Sequence, residues 1–193
     1  MRWDQLFDDL AVQLDQAQRE EERALALEEE RLRQGRLTLR ERLAAMHRAG
    51  RPVRIELVGG RVVALRGFGF GRDWIAAELV DATHRQTQLV VPLAAIAAVL
   101  PDREQLAQSL EPQPEASARL SERIGLAFVL RDLCRRRTPV RLTTLDGEVH
   151  GTFDRVLRDH LELAVHEAGT PRREREVRGY RLVPFERIVS VAF

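Results

Sequence analysis

Apolar and polar residues alternate along two long stretches of the chain, and a period of two is typical of β-strands. Ile75, Ala77 and Leu79 show this alternation in the first stretch, and residues 161–165 show it in the second. Turn signals such as Gly59-Gly60 separate the apolar runs. About five short strands are therefore predicted in each stretch, at residues 52–58, 61–70, 74–80, 86–92 and 96–99, and at 139–145, 148–157, 160–166, 177–184 and 188–192.

The two stretches are copies of one unit. The segment Pro52-Val53-Arg54-Ile55 recurs as Pro139-Val140-Arg141-Leu142. Both copies close on the pattern V-P-x-x-x-I-x-x-V, which occupies residues 91–99 and 183–191. The second copy is longer because of a polar segment at 167–176, and such a segment is typical of a loop. An insertion confined to a loop is expected for two copies of one fold.

A helix is predicted ahead of each strand unit. Thr38 and Glu41 have the spacing of a capping box, which marks the start of the first helix. The second helix is predicted from near Ser121 to about Arg135. The predicted apolar faces consist of Leu39, Leu43 and Met46 in the first helix, and of Leu120, Ile124, Ala127, Phe128 and Leu130 in the second.

The first 35 residues form a different pattern. Apolar residues recur there at three- and four-residue intervals, which predicts one long helix with a narrow apolar seam, ending near Gly35. This helix is expected either to fold back onto the first strand unit or to act as an arm for a protein partner or for self-association. The residues of the seam are Trp3, Leu6, Phe7, Leu10 and Leu14.

The predicted fold class is α+β. A helical arm at 1–35 is followed by a first unit at 36–100, a proline-containing linker at 101–118 and a second unit at 119–193. Five strongly bent strands in roughly 50 residues favour a small β-barrel for each unit. The predicted core residues are Val53, Ile55, Leu57, Leu79, Ile96 and Val99 in the first unit and Val140, Leu142, Leu163, Ile188 and Val191 in the second.

Charge is balanced along the chain. It holds 31 basic and 30 acidic residues, so no global field attracts it to nucleic acid or to an anionic membrane. Every basic residue is arginine, and the sequence contains neither lysine nor asparagine. Because both absent residues have A-rich codons, this composition indicates a GC-rich genome. Abundant arginine is therefore weak support for phosphate binding.

The densest basic cluster consists of Arg131, Arg135, Arg136, Arg137 and Arg141. These side chains are the candidate contacts to the phosphates of an RNA. They also lie around the C-terminal end of a predicted helix, where cations complement the helix dipole. No aromatic residues interleave with them to stack on bases, which favours the second interpretation.

Motifs for catalysis or metal binding are absent from the sequence. The single cysteine, Cys134, excludes an internal disulfide and has no recognisable activating base. The five histidines have no metal-ligand spacing, and His160 and His166 are expected to face solvent. We therefore expect no catalytic residue, no metal, no cofactor and no small-molecule substrate.

Neither a signal peptide nor a membrane span is predicted. The longest strongly apolar stretch, residues 124–130, is far shorter than the ~20 residues that a bilayer requires. The N-terminal decapeptide is acidic, unlike the basic start of a signal peptide. A cytoplasmic location without membrane contact is the expectation from these features.

A helix followed by five short bent strands resembles the Sm/LSm barrel, a family that includes the bacterial host-factor RNA chaperone. The second unit carries the resemblance best. Asp146-Gly147-Glu148-Val149 is similar to the start of the family's first motif, and Asp159 and Leu161 follow at a matching distance. The resemblance implies two tandem Sm-like or SH3-like barrels. The whole chain also resembles an uncharacterised actinobacterial family sometimes labelled Fis-type regulators, although no helix-turn-helix is predicted.

The departures from the Sm pattern concern its nucleotide pocket. Ala76 and Glu162 stand where the RNA-binding members have an asparagine that holds the uracil edge. A Val-Pro pair replaces the Arg-Gly pair that completes the pocket. We therefore expect a non-catalytic protein-interaction or scaffold module. The alternative is an RNA-binding regulator that uses another surface, and an enzyme is the least favoured class.

Overall fold

The computed structural model describes two compact units, Met1–Leu39 and Arg40–Phe193. The backbone is described for residues 3–48, 50–80, 87–112 and 123–193, and the side chains of residues 3–12 and of Phe68 lie outside the description.

The first unit is dominated by a single helix, α1 (Trp3–Gly35), which confirms the predicted long helix. Its described side chains from residue 13 to residue 29 are all exposed. Near its end, the Arg33 guanidinium makes two bonds of 2.7 and 2.6 Å to the Glu30 carboxylate, and Gln34 donates a third. The bonds from Arg33 and Gln34 lower the pKa of Glu30 to about 2. Pairs along one helix face support α1 locally.

The remaining elements follow the predicted order of helix, five strands, helix and five strands. The helices are α2 (Leu39–Arg48), α3 (Arg103–Gln108) and α4 (Leu126–Arg135). The strands of the first repeat are β1 (Val53–Leu57), β2 (Val62–Phe70), β3 (Trp74–Leu79), β4 (Thr87–Pro92) and β5 (Ile96–Leu100). The strands of the second repeat are β6 (Pro139–Thr144), β7 (Gly147–Val156), β8 (His160–Val165), β9 (Gly179–Pro184) and β10 (Ile188–Ala192).

All ten strands belong to one antiparallel sheet with the order β5-β1-β2-β3-β4-β10-β6-β7-β8-β9. Each repeat contributes five neighbouring strands in the same relative order, which supports the duplication seen in the sequence. The prediction of two barrels is not confirmed, because the sheet is open and the repeats are joined through β4 and β10. Register shifts in β2 and β7 mark the places where these long strands bend.

The backbone after each repeat's helix is equivalent too. Gly50 follows α2 and Arg137 follows α4, at the same spacing from the helix start. Both residues have a left-handed backbone, with φ values of 70° and 53°. This conformation ends a helix by allowing the chain to turn, and glycine adopts it without steric cost. The two helix ends therefore have the same geometry despite different residues.

The apolar core consists of two clusters, one for each repeat. Most of the predicted core residues are buried, whereas Leu79, Ile96 and Val99 are partly buried against the first cluster. The clusters also exchange residues, because Val189 and Ala192 pack in the first cluster and Val90 packs in the second. Large buried residues outside the predicted core list and helix faces are Leu65, Ile75, Phe153 and Leu161.

The predicted helix faces need two corrections. In α2, Leu43 and Met46 are buried as predicted, but Leu39 is 46% exposed. Helix α4 begins at Leu126, so Ile124 precedes it, and the predicted start at Ser121 and Leu120 lies outside the described residues. The buried face of α4 consists of Leu126, Leu130 and Leu133, whereas Phe128 is exposed.

Part of the predicted linker is structured. Helix α3 begins with a capping box in which the Asp102 side chain accepts from the Gln105 amide and the Gln105 side chain accepts from the Asp102 amide. The buried side-chain amide of Gln105 also donates to the Pro52 carbonyl at 3.0 Å. In addition, Arg51 pairs with Asp102 and with Glu104. These bonds attach α3 to the start of β1.

Candidate functional site

The candidate RNA-binding arginines are placed around the end of α4, and most of them are already engaged. Arg135 and Arg136 both pair with Asp132, at 2.5 and 2.7 Å. Arg131 donates to the Leu157 carbonyl at 3.2 Å. A phosphate would have to compete with these internal partners. The arrangement therefore has less free positive charge than the sequence suggests.

A second part of the cluster forms a partly buried ion-pair group around Asp154. The Asp154 carboxylate accepts from Arg137 at 2.8 Å and makes a two-pronged pair with Arg172 at 2.8 and 2.6 Å. Arg172 and Arg137 lower the pKa of Asp154. Because Arg172 lies in the loop inserted only in the second repeat, this group anchors the loop to β7.

Cys134 lies beside this group and is not activated by it. The side chain is half-buried, and burial raises the pKa of its thiol despite the nearby Arg137. A raised pKa disfavours the thiolate that a nucleophile needs. Within the part of the chain that the structure describes, no group of three or more His, Cys, Asp or Glu side chains could hold a metal ion.

The expectation that both strand histidines face solvent is wrong for His166. This residue is buried, and its Nε2 lies 2.9 Å from the hydroxyl of buried Thr152. Its Nδ1 lies 3.0 Å from the Glu167 carbonyl, so a proton on Nδ1 satisfies both ring nitrogens, with Thr152 donating to Nε2. His160 is half-exposed. His166 is thus a core residue, and each of its ring nitrogens has a hydrogen-bond partner.

The N-terminal seam is described only at its last member. Leu14 is exposed, whereas the side chains of Trp3, Leu6, Phe7 and Leu10 lie outside the description. Farther along α1, three more leucines are exposed: Leu25, Leu27 and Leu32. Among the described residues, no helix combines the length and the apolar character needed to cross a membrane.

The internal junction, the pairing of β4 with β10, joins the two repeats. Val90 lies opposite Val191, and Gln88 and Phe193 exchange two backbone hydrogen bonds of 3.2 and 3.0 Å. The Val90 side chain is only 1% exposed and belongs to the core cluster of the second repeat. Each repeat therefore completes the core of the other.

The start of α4 also docks on the first repeat. Both the Trp74 indole Nε1 and the Arg72 amide donate to the Ile124 carbonyl at 2.9 Å. The Leu126 amide donates to the Asp73 carboxylate at 2.8 Å. This carboxylate satisfies a first-turn amide of α4, as the side chain of an N-cap residue does. It therefore explains why the helix starts five residues later than predicted.

A charged contact crosses the same junction. Arg61 from the first repeat and Arg141 from the second both lie 3.6 Å from the Glu148 carboxylate. Both arginines line an open cavity of about 810 Å³ between the repeats. Arg141, one of the candidate RNA contacts, is thus placed at the junction and shares an acidic partner.

The outer edges of the sheet, β5 and β9, are the repeat equivalents of the two junction strands. Counting from the shared V-P pattern, Leu182 of β9 is equivalent to Val90 of β4 and is 68% exposed. Its neighbour Tyr180 is also exposed. On the other edge, exposed Ala97 of β5 is equivalent to buried Val189 of β10. Equivalent positions of the two repeats are therefore buried where the repeats meet and exposed at the outer edges of the sheet.

A cleft of about 720 Å³ lies beside β9, between the turn 158–160 and the strand end at Leu182 and Pro184. In the first repeat the equivalent turn, 72–74, holds the start of α4. In the cleft Asp159 instead accepts from the adjacent His160 ring at 2.7 Å, which lowers the pKa of Asp159. The cleft is thus a counterpart of an occupied docking site.

The two edges are not predicted from the sequence, although the two V-P patterns already make Val90 and Leu182 equivalent. Only the register of β4 on β10 reveals which strands are inside the sheet and which are its ends.

A scan against protein-family models and searches of curated proteins and of solved structures find no match to this chain.

Proposed function

We propose that this protein is a non-catalytic protein-interaction or scaffold module, built from two tandem Sm-like or SH3-like repeats, and that it binds a protein at the β9 edge. The observation that carries the proposal is the exposure of Leu182, an apolar residue at a position that is buried in the other repeat.

Strand chemistry supports this mode of binding. An edge strand presents a row of backbone N–H and C=O groups that can pair with a strand of another chain. Natural proteins usually protect such an edge with charge, proline or a bulge. Here β9 ends in Pro184 and carries the exposed charge of Arg181, but the exposed residues on either side of that arginine, Tyr180 and Leu182, are large and mainly apolar. Pairing with a partner strand would satisfy the backbone groups of this edge and bury its apolar side chains, which lowers the free energy.

The resemblance to the Sm family is part of the proposal. The repeated strand order and the helix ahead of each set of five strands support a tandem of Sm-like units. The alternative function, an RNA-binding regulator, would depend on Arg131, Arg135, Arg136, Arg137 and Arg141. Their internal partners favour the protein-binding function. The exposed leucines of α1 support the arm as a second handle for a protein partner.

Affinity capture from a cell extract tests the proposal, with the full chain, its Leu182→Asp variant and its Phe128→Asp variant as baits. Phe128 is a matched control because it is an exposed apolar residue away from the sheet edges. We expect the wild type and Phe128→Asp to retain a set of proteins that Leu182→Asp does not retain.

A nuclease-treated extract serves as the second arm of the experiment. Partners that survive nuclease support a protein-binding module. Partners that disappear on nuclease treatment, or that persist equally on Leu182→Asp, would contradict the proposed function.

A further inference from the structure

We infer that the open cavity between the two repeats binds a small organic phosphate, whose phosphoryl group is held by Arg61 and Arg141. The two guanidinium groups come from different repeats, and both line this cavity of about 810 Å³. The inference goes beyond the proposed function, because it concerns the internal junction and a small ligand, and not the β9 edge and a protein. Its basis is that the two guanidinium groups share one carboxylate at a distance too long for a hydrogen bond.

The partners of these two arginines differ from those of the arginines around α4. Arg61 and Arg141 each lie 3.6 Å from the Glu148 carboxylate. Among the described residues, neither of their side chains donates a hydrogen bond. By contrast, Arg136 and Arg172 lie 2.7 and 2.6 Å from their carboxylates. The N–H groups of Arg61 and Arg141 are therefore available to a ligand.

The charge of the cavity favours an anion. Of the described residues that line it, none has an acidic side chain. Glu148 is an exposed residue and faces two guanidinium groups with one carboxylate, so one positive charge is left over. The imidazole of half-buried His150 also lines the cavity and can donate a further N–H. An anion that enters the cavity therefore meets donors and a surplus of positive charge.

Strand register places the donors of the second repeat side by side. Arg141 of β6 lies directly opposite His150 of β7, so the sheet backbone sets their spacing before a ligand binds. Arg61, which precedes β2, adds a guanidinium group from the first repeat. The equivalent pair within the first repeat is Arg54 opposite Ala64, which has no second donor, and Arg54 is exposed. The combination of three donors is thus a feature of the junction alone among the described residues.

The geometry of the donors favours a phosphoryl group over a carboxylate. A guanidinium group is a planar fork that binds two oxygens of an oxyanion at once. A terminal phosphoryl group has three oxygens and can engage two such forks, whereas the two oxygens of a carboxylate are occupied by one fork. Arg61 and Arg141 together therefore match a phosphate.

The size and the apolar wall of the cavity favour an ester over the free ion. Cavities that bind small organic molecules have volumes of about 300–1,000 Å³ and are lined mainly by apolar side chains with a few polar groups. The cavity lies in this range, and Leu79, Pro139 and Phe193 contribute apolar surface to its wall. Inorganic phosphate would use the two arginines and leave this apolar surface in water. An organic phosphate would cover it as well.

The loop that is inserted in the second repeat completes the wall. Ala168 and Gly169 of this loop line the cavity. The loop is held by the pair of Arg172 with Asp154 at 2.6 Å and by the pair of Arg178 with Glu167. The wall is thus in place without a ligand, and a preformed site loses less conformational entropy when it binds.

The experiment is isothermal titration calorimetry of the full chain in a phosphate-free buffer. The probes are adenosine monophosphate, glycerol phosphate and inorganic phosphate, with adenosine and glycerol as the unphosphorylated counterparts. At least one ester is expected to bind more tightly than inorganic phosphate, and the unphosphorylated compounds are expected not to bind. Arg61→Gln and Arg141→Gln should each weaken ester binding by about tenfold or more, because each removes a charged donor.

Two further variants separate ligand binding from folding. Arg181→Gln removes the same charge from an exposed position on β9 and should bind the ester like the wild type. Glu148→Gln removes the carboxylate that competes for both guanidinium groups, so it should bind the ester more tightly than the wild type. A partly unfolded variant cannot produce this gain of affinity.

Four results would overturn the inference: no binding of either ester at millimolar concentration, equal binding of an ester and its unphosphorylated counterpart, unchanged affinity in both cavity arginine variants, or weaker binding by Glu148→Gln. An oligouridylate that binds more tightly than both esters and loses affinity in Arg141→Gln would also overturn it, in favour of the RNA-binding alternative. None of these measurements depends on Leu182, so the proposed protein-binding function is tested separately.

Discussion

The internal junction and the outer edges are built from equivalent strands, which are paired with each other at the junction and unpaired at the edges. Both are made from a strand ending in Val-Pro, a turn with an aspartate and a partner strand that closes a repeat. At the junction the strand residue Val90 is in the core, and at the edge its counterpart Leu182 lies on the surface. Side-chain type therefore does not decide burial at these positions. The presence of a neighbouring repeat decides it.

The turns of the two repeats have diverged in a way that matches these situations. In the first repeat Trp74 packs over Gly71, where a Cβ atom would overlap the indole ring. In the second repeat the equivalent residues are His160 and Leu157, and both are at least partly exposed. The closely packed pair Trp74–Gly71 lies where the start of α4 binds the first repeat. The pair His160–Leu157 lies beside the open cleft of the second repeat.

The largest effect is expected from placing a charge at the two equivalent strand positions. Val90→Asp should lower the free energy of unfolding by about 3–5 kcal/mol or more, because an unpaired carboxylate would be buried between the repeats. Leu182→Asp should change it by less than about 0.5 kcal/mol in the monomer, because the side chain is in water. Urea denaturation at low protein concentration measures both. Equal losses would contradict the difference in burial between Val90 and Leu182.

The helix starts provide the next contrast. Leu126→Ala should cost about 2–5 kcal/mol, since Leu126 is buried in the second core cluster. Leu39→Ala should cost less than about 1.5 kcal/mol in the monomer, since Leu39 itself remains half in water. Urea denaturation of both variants and the wild type measures the two losses. Equal losses would contradict the difference in burial between the two helix starts.

The ion-pair group of the second repeat sharpens the comparison, because its loop has no counterpart in the first. Asp154→Asn should lower the free energy of unfolding by about 1–3 kcal/mol at neutral pH, as Arg137 and Arg172 lose a charged acceptor. The pKa of Asp154 is lowered in the folded protein, so its contribution is present above the unfolded value of 3.8 and disappears as the pH falls through the folded pKa.

Denaturation midpoints of the wild type and Asp154→Asn should therefore converge below about pH 3.8. A difference that is constant from neutral to acidic pH would show that the effect of the substitution comes from packing and not from the charge. Arg172→Gln is the matched variant, because it removes the loop partner and leaves the carboxylate.

The smallest contrast concerns the two turn aspartates. Asp73→Ala should cost about 0.5–2 kcal/mol, because the first-turn amide of α4 loses its acceptor. Asp159→Ala should leave the free energy of unfolding of the monomer nearly unchanged, because the Asp159 side chain is exposed and its bond to the adjacent His160 ring lies on the surface. Similar losses at both positions would contradict the difference between an occupied and an open docking site.

Much of the fold was predictable from local patterns. The period of two located the strands, because side chains of a strand alternate between its two faces. The repeat assigned the same order of elements to both halves. The start of α4 was missed because its first amide is satisfied by Asp73, which lies about 50 residues earlier and carries no local signal.

The candidate site was less accessible to sequence reasoning. The arginine cluster was visible, but its acidic partners Asp154 and Glu148 come from strands that the sequence does not place beside it. Burial of His166 depended on Thr152, a residue of the neighbouring strand. These partners are set by strand register, which joins residues that are far apart in the chain.

The duplication, the strands, the long first helix and the pairs of equivalent residues follow from the amino-acid sequence, because they depend on periodicity and on comparison within the chain. The arrangement of both repeats in one sheet, with β5 and β9 at its ends, follows only from the fold. Equivalent strands of a repeat can be inner or outer strands of a sheet. Which of the two they become depends on the backbone groups available beside them, and those belong to distant segments or to another molecule.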